Sequence, residues 1–134
     1  MTQAATTFDQ IGGEPALREI VNEFVDRCFD DAMIGFLFHR ADRGRIKRFE
    51  YEHAAEHLGA PIRYCGQPID SAHGKHRIMG GQFDRRLTIL REVLEEKGVD
   101  GSIREDWLAY HQSLRGLVTG DSRGQCTDPR FGPR

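Results

Sequence analysis

The chain is predicted to be an all-α domain. Apolar residues recur at steps of three and four through successive stretches. No apolar–polar alternation runs longer than a few residues, so no strand is predicted. Gly and Pro punctuate the ends of the helical stretches. A length of 134 residues fits one domain with one modest core.

The first helix is read over Pro15 to Phe29, where Leu17, Ile20, Val21, Phe24, Val25 and Cys28 form one face. Pro15 suits a first turn and Glu14 suits the N-terminus by charge, while Gly12-Gly13 marks the turn before it. A short apolar segment, Met33 to Phe38, comes next. The basic stretch "HRADRGRIKR" leads into a helix over Arg43 to His57, which Leu58-Gly59-Ala60-Pro61 terminates. Ile62 to Ser71 is polar and irregular. Phe83, Leu87, Leu90 and Leu94 make the next stripe, closed by Gly98. Ile103, Trp107, Tyr110, His111, Leu114, Leu117 and Val118 make the last, with Ser102 as the expected N-cap and Glu105 completing a capping box. Gly120 to Arg134 is Gly, Pro and charge, which reads as a disordered tail beyond a domain spanning 1–119. About five or six helices around one core are expected.

Charge and cysteine content narrow the function classes. A net charge of -2 argues against nucleic acid as the main partner. No apolar run is long enough to span a membrane. "MTQAATTFDQ" lacks the basic start and apolar core of a signal peptide. Cys28, Cys65 and Cys126 are odd in number and contain no CxxC, so reduced thiols and a cytoplasmic location are expected.

The histidines carry the chemistry. Two of the six, His73 and His76, stand in the joint "DSAHGKHRIM" between helical stretches. A histidine picked blind is ordinarily a solvated or hydrogen-bonded surface residue. An imidazole on a short segment between converging apolar faces, however, can project into the core, and neutral imidazole is a common ligand of heme iron. A second chemistry is also encoded. His53-Ala54-Ala55-Glu56-His57 fits H-x-x-E-H, with two imidazoles one turn apart and a carboxylate between them, the pattern of a zinc hydrolase. That reading needs a third ligand from another element.

Four pieces in order resemble the truncated hemoglobins, most of all their first group, over roughly residues 8 to 119. They are "FDQIGGEPALREIVNEFVDRCFDD", "GFLFHRAD", "LGAPIRYCGQPIDSAHGKHRI" and "FDRRLTILREVLEEKGV". The resemblance implies a two-over-two helical sandwich that binds heme b, with His73 as the proximal iron ligand and Phe38 packed on the heme. Large apolar area for a flat macrocycle is available from Phe24, Phe38, Ile46, Phe49, Tyr64, Ile69, Ile78 and Phe83. Lys47, Arg48, Lys75 and His76 are candidate cations for the propionates.

The distal side departs from the family. Val25 aligns where a tyrosine is usual and Glu50 where glutamine or leucine is common. His53 and Ala54 align with aromatic positions. Arg86 aligns with an apolar pocket position and is expected to point to solvent or to a propionate. Ile46, Phe49, Glu50, His53 and His57 lie near one helix face, expected to look toward the iron from the side opposite His73. With Val25 unable to donate, a short-lived oxygen complex is expected. The implied function is binding of oxygen or another diatomic ligand, in nitric oxide or oxygen chemistry or in sensing, served by an electron-donating reductase. A heme-free globin-like sensor or binding module is the alternative.

Overall fold

The computed structural model describes residues 6–64 and 80–114, and among these every regular element is helical. A four-residue helix, α1 (Thr7–Gln10), opens the chain. The Thr6 hydroxyl accepts the Asp9 amide at 3.1 Å and the Asp9 carboxylate accepts the Thr6 amide at 3.2 Å, a reciprocal cap. Periodicity does not predict α1, because four residues are too few to show a repeat. The Phe8 amide donates to the Leu58 carbonyl at 3.0 Å, which ties the start of the chain to the end of a later helix.

Helix α2 (Gly13–Asp30) starts two residues before Pro15 and buries all six residues of its predicted stripe. Asp31 stops it and organises the turn beyond. Its Oδ2 accepts the amides of Met33 and Ile34 at 2.9 and 3.1 Å, while Oδ1 accepts the Arg85 guanidinium at 2.8 Å. The Arg85 hydrogen bond, helped by those amides, holds the Asp31 carboxyl below its usual range. The chain then passes so close to α2 that a Cβ on Gly35 would lie 2.5 Å from the Phe29 carbonyl oxygen, so only glycine fits there. A 3-10 turn, Gly35–Phe38, comes after it.

Helix α3 (Arg43–His57) has the predicted bounds, capped by the Asp42 side chain on the Arg45 amide at 3.1 Å. Helix α4 is Gly80–Glu96 and α5 is Gly101–Ser113. The N-cap of α5 is Asp100 rather than Ser102. The Asp100 carboxylate accepts both the Ser102 amide, at 3.0 Å, and its hydroxyl, at 2.5 Å. An anion complements the positive end of the helix better than a hydroxyl, and the Ser102 hydroxyl is used up as a donor to it. Glu105 instead pairs with Arg91 at 3.0 Å and Arg104 at 3.3 Å.

Helix α2 packs on α3 and on α4, and α4 packs on α5, which is the expected two-over-two arrangement. One core joins Leu17, Ile20 and Val21 of α2 to Ala54, Ala55 and Leu58 at the end of α3. It continues through Ile89, Leu90, Val93 and Leu94 of α4 to Trp107 and Leu108 of α5. The buried face of α4 is wider than the predicted stripe. Ile89 and Val93 are fully buried while Leu87 is half-buried, because α4 must satisfy two neighbours at once. Leu117, Val118, Cys65, Cys126 and the tail lie outside the described residues.

Leu17 has no exposed surface. Leu17→Ala is expected to cost about 2–5 kcal/mol in denaturant unfolding, as a cavity at the α2–α3–α4 junction would. Burial pushes the Cys28 thiol up to about 12. Native protein should therefore label at Cys28 only as fast as it opens, and labelling should accelerate sharply in denaturant.

Candidate functional site

Helix α3 has two faces of different chemistry. One buries Tyr51, Ala54 and Ala55 in the core. The other carries Phe49, Glu50, His53 and His57, all half-buried. Tyr64 lies over this second face, fixed by its amide donating to Glu56 Oε2 at 2.8 Å. Its ring meets Phe49 edge-on at 6.0 Å and His53 at 5.4 Å. Tyr110 of α5 closes in from the other side. Its ring stacks on His57 at 3.9 Å, and its hydroxyl lies 2.8 Å from His53 Nε2. Burial lowers the His53 pKa, so its neutral form is favoured.

A polar triad lies beneath this aromatic row. Arg86 of α4 donates from Nη2 to Glu50 Oε1 at 2.5 Å and from Nη1 to His111 Nδ1 at 2.9 Å. Its guanidinium rests over the Phe24 ring, 4.8 Å from the centroid. Burial, reinforced by the Arg86 charge, drives the His111 pKa down to about 3. His111 is therefore neutral at physiological pH. Because its Nδ1 accepts from Arg86, the ring proton is assigned to Nε2. Arg86 thus points inward to Glu50 and His111, not to solvent, the first of its two expected directions. Glu50 and His111 both draw it in. The α4 stripe gives no sign of an inward cation, since those partners stand 36 and 25 residues away.

The remaining predicted residues are more dispersed. Phe38 stacks on Phe29 at 4.8 Å and, like Ile46, packs half-buried against the core. Phe83 is buried at 1% exposure yet stands apart from the principal core cluster. Lys47 is held by Asp26 at 2.8 Å, and Arg48 lies over the Phe49 ring at 4.7 Å. His73, His76, Ile69, Ile78 and Lys75 lie outside the described residues.

The zinc pattern is not assembled. His53 is bonded to Tyr110, His57 to Asp106 at 3.0 Å, and Glu56 to the Tyr64 amide. Among the described residues no group of His, Cys, Asp and Glu is arranged to hold a metal ion. The two imidazoles lie on one helix, but each is committed to a different residue of α5.

The half-buried rings of Phe49, His53 and Tyr64 give this face the planar contact area that a flat aromatic group needs. The family model of the bacterial-like globins matches residues 6–119. The chain belongs to the truncated hemoglobins. It is 30% identical over 125 residues to a group 1 truncated hemoglobin of Mycolicibacterium paratuberculosis, covering 93% of this chain and 92% of that protein. A group 1 truncated hemoglobin of a Nostoc species is 24% identical over 114 residues, covering 85% and 97%. The 2/2 hemoglobin structure from Synechococcus superposes with a TM-score of 0.81 at 20% identity, covering 87% of this chain and all of that one. A hemoglobin structure from Chloroflexus aurantiacus superposes at 0.75 with 27% identity, covering 86% and 98%. Membership implies a heme-binding globin. No described helix of this truncated hemoglobin is long and apolar enough to cross a membrane.

The buried imidazole has a consequence for stability. His111 titrates near its ordinary 6.5 when unfolded and near 3 when folded. Between those values the unfolded chain takes up a proton that the native protein refuses, so stability falls as pH drops through that window and is fully present above it. His111→Gln should flatten the slope of unfolding free energy against pH between about 6.5 and 4. An unchanged slope would remove His111 as its source.

Proposed function

We propose that this truncated hemoglobin binds heme b through His73 and offers the iron to oxygen or another diatomic ligand. The observation that carries the reading is the half-buried ring face of α3, formed by Phe49, His53 and Tyr64. In the sequence His73 stands between α3 and α4. Heme supplies a redox-active iron able to take a small ligand. The chain's residues supply the rest. Phe38, Ile46, Phe49, Tyr64 and Phe83, with Ile69 and Ile78, give the apolar contact that holds a macrocycle and keeps bulk water from it. Lys47 and His76 are the cations assigned to the propionates, and Lys47 shares its charge with Asp26. His73 carries the iron as a neutral imidazole. A ferrous working state calls for an electron-donating reductase, and reduced thiols suit a cytoplasmic location.

The test is reconstitution with hemin followed by titration. His73→Ala should lose stoichiometric uptake or hold heme loosely without the histidine-ligated spectrum. Full stoichiometry with an unchanged spectrum would rule out His73 as the ligand. Wild-type protein that took up no heme would instead be the heme-free binding module.

A further inference from the structure

The unusual feature of the site is the inward guanidinium of Arg86. We propose that Arg86 is the specificity-determining donor of the pocket, favouring iron ligands that carry or develop negative charge; this rests on the heme reading above. Three observations carry it. Arg86 reaches Glu50, which lies on the same turn of α3 as Phe49 and one turn before His53, and its other partner, His111, meets the His53 ring edge-on at 6.3 Å, so the guanidinium stands beside the ring-lined face. It is positioned from three sides, by Glu50 of α3, His111 of α5 and the Phe24 ring of α2. The bonds to Glu50 and His111 occupy two of the five N–H groups a guanidinium carries, so the fork can anchor and donate at once. Glu50 then has a defined part. It does not oppose a charged ligand alone; it balances the cation that receives one, and His111, being neutral, adds no second positive charge.

The probes are fluoride on the ferric heme protein and carbon monoxide on the ferrous form. Arg86→Leu should weaken fluoride binding about tenfold, the loss of one charge-assisted hydrogen bond. It should also move the bound C–O stretching band to higher wavenumber, because a nearby cation favours back-donation into the ligand. Arg86→Leu takes the balancing charge from the Glu50 carboxylate, so the paired variant Arg86→Leu/Glu50→Leu removes both charges and guards against simple misfolding. The pair should shift both in the same directions as Arg86→Leu, by less because the Glu50 charge is gone too, with heme stoichiometry intact. Arg86→Lys should restore part of the fluoride affinity, since it keeps the charge and loses the fork. Glu50→Gln should raise fluoride affinity. Fluoride affinity and a C–O band unchanged in the heme-loaded paired variant would overturn the assignment of Arg86 while leaving heme binding standing. Wild-type protein without heme would overturn both.

Discussion

A guanidinium enclosed by four helices constrains everything around it. An ion taken out of water must be met by an opposite charge and by hydrogen bonds, or the fold does not tolerate it. Arg86 is therefore met by a carboxylate at position 50, and its charge adds to burial in keeping the imidazole at 111 neutral. It also ties α4 to both α3 and α5, since a shift of α3 would strain the Glu50 bond, a shift of α5 the His111 bond, and a shift of α4 both. Apolar packing between α2 and its neighbours supplies most of the cohesion, but it is non-directional. The triad supplies the direction.

Much of this is legible in the sequence. The α3 end follows from a local signal, Leu58-Gly59-Ala60-Pro61, whereas its Asp42 cap is seen only in the structure. The α2 stripe is a single face with one dominant neighbour on each side, and all six of its residues are buried. The mismatches share a cause. Residue type alone favours Ser102 as a cap, whereas the outcome depends on a competition with Asp100 two residues earlier. Spacing alone puts Leu87 in a narrow stripe, whereas α4 answers to two partners. The candidate site shows the same division. Residues that share a helix face, such as Phe49, Glu50 and His53, can be grouped by spacing. Partners far apart in sequence cannot: Tyr110 with His53, or Arg86 with Glu50, meet only once the helices have packed.

The histidines also divide by environment rather than by spacing. His53 and His57 stand one turn apart and invite a metal reading, yet one turns to a phenol and the other to a carboxylate. His111 falls on the core stripe and belongs there, but it enters the core as a hydrogen-bond acceptor and not as a ring for packing. Identical side chains thus serve as partner to a phenol, partner to a carboxylate and buried acceptor within one small volume.

The bond from the Phe8 amide to the Leu58 carbonyl has a further meaning. It fastens the chain's beginning to the point where α3 ends and the histidine-bearing segment departs. Ends of chains ordinarily fray independently of the interior. Here one backbone hydrogen bond links the first turn to the exit of α3, so hydrogen exchange at the Phe8 amide reports on both. A residue near the start of the sequence thus helps hold the end of a helix that finishes about fifty residues later.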